Sequence, residues 1–242
     1  MPDTPDTPAR AHRHAVYFAH RPNSAWWEAG CAWLGRDAAS GAALPQPPVP
    51  GLAAAEQQAL TAAPRRYGWH ATLKAPFALT AGAAPATLRE RTRLLCGTLA
   101  PFTLPPLQVA LVDDDFLALV PEGDTAAIDA LARACVTGLH DLAAPLPTAE
   151  LQRRRAAGLS PEEDALLLRW GYPFVLERFR FHLSLTGSLR QADTATVSAL
   201  RRAAERWFAD LPPTRVNAVA LFSEPAPGAD FALVEHIALD DA

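Results

Sequence analysis

Two short triplets in the sequence combine a histidine with a hydroxyl side chain two residues later. They are His70-Ala71-Thr72 and His182-Leu183-Ser184. Histidine titrates near neutral pH, so a neutral imidazole can remove a proton while a second, protonated imidazole supplies one. The hydroxyl group beside each imidazole can hold a phosphoryl oxygen by a hydrogen bond. This set of groups suits acid–base cleavage of a phosphate ester and requires no metal ion.

Both triplets lie in stretches where apolar and polar side chains alternate, which is typical of a half-buried β-strand. The first predicted strand covers residues 67–77 and places Lys74 on the same face as its triplet's histidine and hydroxyl. The second covers residues 178–186 and places Arg180 on the corresponding face. Cations there would stabilise a bound phosphate, although a solvated or ion-paired surface position explains each equally well. The candidate substrate-binding residues are Lys74, Arg180 and, from the neighbourhood of the first triplet, Tyr67 and Arg66.

The order triplet strand, helix, strand, strand occurs twice along the chain. After the first triplet, a helix beginning at Pro85 and a hairpin over residues 107–120 are predicted; after the second, a helix over 192–209 and a hairpin over 216–239. This repetition predicts an internal duplication and a bilobal α+β fold, with two antiparallel sheets backed by helices. The two triplet strands would face each other across a central groove.

The predicted domain organisation is a disordered tail over residues 1–13 followed by one bilobal domain over residues 14–242. The lobe with the first triplet would cover residues from about 60 to 140, and the other lobe from about 172 to 242. The N-terminal strand and helix would pack between the lobes or onto them.

Several local signals predict individual elements of the N-terminal region. A strand is expected over residues 15–19, followed by a helix that Asn23 or Ser24 caps and whose tryptophans belong to the core. The proline-rich residues 44–51 predict a loop. A short helix over residues 54–62 is expected to end before Pro64.

Composition and charge exclude several classes of protein. The chain has 242 residues and a formal net charge of −4, whereas a general nucleic-acid coat would need a strongly basic surface. Its three cysteines are far apart and form no C-x-x-C pair, which argues against a zinc knuckle. No apolar run approaches the ~18 residues that a membrane span needs, and no secretory signal is recognisable. We therefore expect a cytoplasmic protein.

Other residues that could carry chemistry have simpler explanations. His12 and His14 alternate and could suggest a metal site, but they lie at the predicted tail. The arginines at 153–155 fit a solvated helix face, although they could attract an anionic ligand, and the aspartates at 113–115 fit a hairpin tip. The chain contains no G-x-x-x-x-G-K-[ST] sequence, so a nucleotide-binding loop of that kind is not predicted.

The two triplets resemble the paired H-x-[ST]-x motifs of the two-histidine (2H) phosphoesterase superfamily. That superfamily includes 2′,3′-cyclic phosphodiesterases and bacterial 2′-5′ RNA ligase-like proteins. Longer segments resemble a branch of it that is often encoded beside phosphonate (C–P lyase) genes. These segments are Tyr17-Phe18-Ala19, Trp33-Leu34-Gly35-Arg36-Asp37, Arg65-Arg66-Tyr67-Gly68-Trp69-His70-Ala71-Thr72-Leu73-Lys74 and Trp170-Gly171-Tyr172-Pro173.

The resemblance implies that His70 and His182 form an acid–base pair, and that Thr72 and Ser184 hold the phosphate. It does not decide which histidine is the base. Ser184 stands where threonine is the commoner choice in the superfamily, a change that keeps the hydroxyl group.

We therefore expect a metal-independent phosphodiesterase that hydrolyses a cyclic phosphate or a related small phosphate ester and uses no cofactor. One alternative is a non-catalytic module that binds a phosphorylated metabolite or an RNA end in the same groove. Another is an RNA ligase-like activity. The expected partner is a small phosphate ester, with short RNA ends as a second choice, and no membrane is expected. The sequence predicts no oligomeric state.

Overall fold

A computed structural model describes residues 12–156 and 158–240 and has an α+β fold of antiparallel sheets and helices, as expected. The strands are β1 (Arg13–Phe18), β2 (Ala71–Phe77), β3 (Phe102–Thr103), β4 (Leu107–Val112), β5 (Phe116–Pro121), β6 (Leu183–Ser184), β7 (Arg215–Val216), β8 (Ala218–Glu224) and β9 (Ala232–Ala238). The helices are α1 (Ala25–Leu34), α2 (Ala54–Tyr67), α3 (Pro85–Cys96), α4 (Ala126–Gly138), α5 (Thr148–Arg155), α6 (Pro161–Trp170) and α7 (Thr194–Trp207), with 3₁₀ turns at His140–Leu142 and Leu176–Arg178.

Each of the two larger sheets combines strands from both halves of the chain. The four-stranded sheet has the order β2-β1-β8-β9, and the three-stranded sheet has the order β4-β5-β6. The strand of the first triplet therefore shares a sheet with the C-terminal hairpin, and the strand of the second triplet pairs with the first hairpin. The expected lobes, built from continuous stretches of sequence, differ from this arrangement, because side-chain alternation identifies strands without specifying their partners.

The repeated order of elements is present in the structure. The series β2-α3-β3-β4-β5 is followed later by β6-α7-β7-β8-β9, and the two short strands β3 and β7 pair with each other. Helices α3 and α4 pack against the four-stranded sheet, whereas α7 packs against the three-stranded sheet.

The ends of α1 and α6 are defined by capping residues. The side chain of Ser24 caps α1 by accepting a hydrogen bond from the Trp27 amide, and Gly35 ends the helix in the left-handed conformation with φ of 78°. At α6, Ser160 and Glu163 form a reciprocal capping box, and Gly171 follows the last turn. The predicted cap of α1 at Asn23 or Ser24 is thus confirmed at Ser24.

The predicted end of the second helix before Pro64 is wrong, because α2 continues to Tyr67. A proline inside a helix cannot donate to the carbonyl four residues earlier, here that of Leu60. In the structure, the amide of Gly187 donates a hydrogen bond of 2.7 Å to this carbonyl instead. The contact satisfies the freed acceptor and joins α2 to the chain just after the second triplet.

The second triplet strand is much shorter than predicted. Within residues 178–186, only Leu183 and Ser184 form a ladder with β5, and a 3₁₀ turn over Leu176–Arg178 occupies the predicted start. The alternation itself persists, since Phe181, Leu183 and Leu185 are buried while the residues between them are partly exposed.

The tryptophans of α1 belong to the core, as expected. Trp33 is buried and its indole N–H donates to the carbonyl of Leu185 at 2.9 Å. Gly30 allows α1 to approach Trp69, because a Cβ atom on this glycine would lie 2.0 Å from the Trp69 ring. Helix α1 therefore connects the regions around the two triplets.

The predicted tail largely lies outside the described residues, which begin at His12. Arg13 belongs to β1 rather than to a tail, and β1 is a central strand of its sheet. Among the described residues, no helix has the length and apolar character that crossing a membrane would require.

Candidate functional site

A cleft of about 590 Å³ contains most of the predicted catalytic groups. His70 and Thr72 reach it from the start of β2, and Ser184 reaches it from β6. Thus the structure brings the two triplets to one cleft although they belong to different sheets.

The imidazole of His70 has a defined orientation. Its Nδ1 lies 2.9 Å from the carbonyl oxygen of Gly68, and a carbonyl can only accept, so Nδ1 carries the proton. Its Nε2 lies 3.4 Å from the Thr72 hydroxyl oxygen. Burial lowers the pKa of His70 to about 4; the Gly68 hydrogen bond opposes this shift, and the charge of His182 adds to it. At neutral pH the Nε2 atom is therefore available to accept a proton.

His182 has the same main-chain support. Its Nδ1 lies 2.8 Å from the carbonyl oxygen of Arg180, again two residues earlier in sequence. Burial lowers the pKa of His182, while the Arg180 hydrogen bond and the negative charge of Asp113 act in the opposite direction. Each triplet histidine thus uses Nδ1 to fix its ring, and Nε2 is the ring nitrogen that makes no main-chain hydrogen bond.

His182 lies beside the cleft rather than among the residues that line it. Ser184 and Phe116 both line the cleft, and the Phe116 ring centroid is 5.4 Å from that of His182. His182 is close enough to His70 for its positive charge to contribute to the lowered pKa of His70.

Lys74 does not share the cleft with the triplets, contrary to the prediction. In the β1–β2 ladder Tyr17 pairs with Thr72 whereas Val16 pairs with Lys74, so β2 contains one extra residue between these pairs. Neighbouring residues of β1 point to opposite faces, and paired residues share a face. This bulge therefore directs Lys74 away from Thr72, and its side chain lines a separate cavity.

The other three predicted substrate-binding residues have different positions. Tyr67 lines the cleft, with its ring centroid 6.1 Å from that of His70. Arg66 forms an ion pair with the buried carboxylate of Glu224 and is absent from the cleft lining. Arg180 supports His182 through its main-chain carbonyl, and its exposed side chain does not line the cleft either.

Residues outside the predicted set also line the cleft. Tyr17 stacks on His70, and its buried hydroxyl makes no hydrogen bond within the described part of the chain. Arg13 forms an ion pair with Glu224. Arg153 and Arg154 both form ion pairs with the carboxylate of Glu150 in α5. The arginine run was visible in the sequence, but the position of Tyr17 depends on a pairing between distant strands that no local pattern indicates.

Ion pairs neutralise much of the positive charge around the cleft. The carboxylate bound by Arg153 and Arg154 is that of Glu150, whose pKa is lowered to about 2, chiefly by the hydrogen bond from Arg153. Among the described residues, no group of three or more histidine, cysteine, aspartate or glutamate side chains is arranged to hold a metal ion.

Comparisons with known proteins show similarity to two long relatives and to several solved structures. Proteins named ribose 1,5-bisphosphate phosphokinase PhnN from Janthinobacterium sp. (strain Marseille) and Laribacter hongkongensis (strain HLHK9) are each 41% identical, over 222 and 221 residues. These alignments cover 90% and 91% of this chain but 49% and 50% of the relatives, so the chain spans about half their length.

Two solved structures are similar with a TM-score of 0.40 each. One is described as a phosphoesterase, is 14% identical, and the alignment covers 95% of this chain and 99% of that one. The other is Escherichia coli LigT complexed with NADP+. LigT is 15% identical, and the alignment covers 96% of this chain and 99% of the LigT chain.

A family model described as "Protein of unknown function (DUF1045)" matches residues 72–232. The matched region begins at the hydroxyl residue of the first triplet and includes the whole second triplet. It covers more than half of the chain, and the chain therefore belongs to the DUF1045 family.

Proposed function

We propose that the protein is a metal-independent phosphodiesterase that opens a cyclic phosphate or a related small phosphate ester by two-histidine acid–base catalysis. The observation that carries this proposal is the matching support of the two imidazoles. Each has Nδ1 bound to the carbonyl two residues earlier, which leaves Nε2 of both rings for proton transfer. A purely structural histidine pair would not require this shared orientation beside one cleft.

The environments of the two rings favour His70 as the base and His182 as the acid. Burial lowers the pKa of both imidazoles, to about 4 at His70. At His182 the hydrogen bond to the Arg180 carbonyl and the charge of Asp113 oppose this shift and favour the protonated form. In the proposed step, His70 takes a proton from water as the water oxygen bonds to phosphorus. The ester P–O bond breaks, and His182 gives its Nε2 proton to the departing oxygen.

Thr72 and Ser184 would hold the non-bridging phosphoryl oxygens. Both hydroxyl side chains line the cleft, and each lies two residues after its histidine. Hydrogen bonds to these oxygens would stabilise the charge that increases on the phosphoryl group in the transition state.

The resemblance to a branch encoded beside phosphonate genes supports a role in phosphonate metabolism. The names of the two long relatives refer to a phosphorylated ribose, which makes ribose-based cyclic phosphates the first compounds to test beside nucleoside cyclic phosphates. We propose a small phosphate ester in the cytoplasm as the substrate.

A substrate screen with product identification by phosphorus NMR tests the proposal. The expected result is turnover of at least one cyclic phosphate to a monoester, unchanged after exhaustive treatment with EDTA. Loss of activity on chelation, with recovery on adding Zn²⁺ or Mn²⁺, would contradict the two-histidine mechanism. Binding of the compounds without any product would instead support a binding module for phosphorylated metabolites.

A further inference from the structure

The single lysine of the chain, Lys74, lies in a second cavity that the proposed reaction does not use. This cavity has a volume of about 330 Å³, within the usual range for small-molecule sites. Lys74 is only 3% exposed, and its Nζ lies 5.0 Å from the centroid of the Phe77 ring. Removing an ammonium group from water is costly, so a buried lysine without a paired carboxylate calls for a physical explanation.

The cavity wall has no acidic side chain to neutralise this amine. Among the described residues that line it there is no aspartate or glutamate, while Arg169 provides a second cation. Asp141 acts on Lys74 only through its charge, and Arg91 already binds its carboxylate at 2.9 Å. The cavity is therefore positively charged and lacks an internal counterion.

Two further polar atoms in this cavity wall are buried and unpartnered within the described residues. They are Nε1 of Trp170, a hydrogen-bond donor, and Nδ1 of His140. Burial lowers the pKa of His140, and its ring donates to the main-chain carbonyl of Arg169, so Nδ1 of the neutral ring is an acceptor. Buried polar groups are normally satisfied, so this combination suits a ligand with its own donors and acceptors.

From this geometry we infer that the cavity around Lys74 is a binding site for a small organic anion, a carboxylate or a phosphate ester with an apolar body. Its anionic group would accept from Lys74 and Trp170. The apolar body would contact the leucines of α5 and α6 and the proline-containing segment before α5, and a hydroxyl group could donate to His140. Desolvation lowers the pKa of Lys74 to about 8, so the ammonium form still predominates at neutral pH and can pair with the anion.

The site is distinct from the two-histidine cleft but adjoins it. Ala75, Pro76 and Tyr172 line both cavities, while neither His70 nor His182 lines the cavity around Lys74. An occupant would therefore contact the strand that carries Thr72 without touching the proposed reacting groups.

Because Lys74 is the only lysine, its methylation by formaldehyde and cyanoborohydride can be measured by mass spectrometry, with the N-terminal amine as internal reference. The probes are inorganic phosphate, phenyl phosphate and benzoate. At about ten times Kd, occupancy should slow methylation of Lys74 about tenfold by mass action and leave the reference amine unchanged. Protection by phenyl phosphate or by benzoate identifies the preferred anionic group.

Variants separate this site from the proposed active site. Protection should persist in His70→Ala, because that histidine does not line the cavity. Calorimetry should show probe binding lost in Lys74→Met and weakened in Trp170→Phe, which keeps an aromatic ring but removes the N–H donor. The inference would be overturned if none of the three probes protected Lys74, or if protection disappeared in His70→Ala. The protection measurement on the wild-type protein remains decisive even if a variant fails to fold.

Discussion

The ring of Tyr17 lies against the imidazole of His70, with the ring centroids 3.8 Å apart and the planes inclined by 29°. Tyr17 is fully buried and is held there because it pairs with Thr72 across the β1–β2 ladder. The stacked ring excludes water from one face of the imidazole, and burial is the main cause of the low pKa of His70. The contact thus couples the register of two strands to the protonation state of the proposed base.

Removal of either histidine should abolish most turnover. Acid–base groups typically contribute ~10²–10⁴-fold each, and groups that act as a unit are not additive. We expect His70→Ala and His182→Ala each to lower kcat/KM by about this factor, and the double variant to be little worse than either single variant. Steady-state kinetics on the best cyclic phosphate measures this.

A matched control for these variants is His12→Ala, which removes an exposed histidine near the start of β1. It should hydrolyse the substrate at the wild-type rate. Wild-type rates in both triplet variants would refute the assignment of the pair.

The pH dependence should identify the base. The base must be neutral, so kcat/KM should rise as pH increases through the pKa of His70, about 4 in the free protein. The acid must be protonated, so kcat/KM should fall as pH increases through the pKa of His182, which burial places below the ordinary 6.5. We therefore expect a bell-shaped profile with its maximum on the acidic side of 6.5, and His70→Ala should lose the acidic limb of any residual activity.

The same experiment can contradict the assignment. Loss of the alkaline limb in His70→Ala would mean that His70 is the acid and His182 the base. A value of kcat/KM that keeps rising above pH 8 would exclude an imidazolium acid. A bound anionic phosphate stabilises both protonated rings, so the limbs of kcat should lie at higher pH than those of kcat/KM.

The two hydroxyl groups should matter more for turnover than for substrate affinity. Loss of one donor to a developing oxyanion typically costs ~10²–10³-fold in kcat, so Thr72→Val should reduce kcat by up to this factor with a smaller change in KM. Ser184→Ala should behave similarly, while Thr72→Ser and Ser184→Thr keep the hydroxyl and should retain most activity. Equal activity of Thr72→Val and Thr72→Ser would show that the Thr72 hydroxyl group does not contribute to the reaction.

Stability should depend strongly on the close approach of α1 to Trp69. A Cβ atom at position 30 would lie 2.0 Å from the Trp69 ring, so Gly30→Ala forces a shift of helix or ring and should lower the free energy of unfolding by about 1–3 kcal/mol. Gly97→Ala is the control, because its Cβ would meet only main-chain oxygens at 3.5 Å or more. Urea unfolding of both variants checks this, and equal midpoints would show that α1 can move freely.

The sequence predicted those parts of the site that depend on local order. The two triplets, their histidines and the cap of α1 follow from residues close together in the chain. In contrast, the position of Lys74 depends on a bulge that arises when β2 pairs with β1. Strict alternation contains no information about such a bulge.

Long-range contacts explain the other differences. Helix α2 passes Pro64 because the amide of Gly187, from the far half of the chain, binds the Leu60 carbonyl. The strand of the second triplet is shorter than predicted, since only Leu183 and Ser184 pair with β5. Each outcome depends on a partner that lies far away in sequence, and local propensity cannot supply it.

The pairing of strands from both halves of the chain also affects how early in synthesis the sheets can form. Tyr17 pairs with Ala220, and Phe102 pairs with Val216. Neither pair can form until most of the chain has been synthesised. Folding that depends on such distant pairs is slow, and a ribosome-bound chain would leave one edge of β1 unpaired until β8 emerges. The nascent N-terminal half therefore exposes an unpaired strand edge, the feature that makes partly folded chains prone to aggregation.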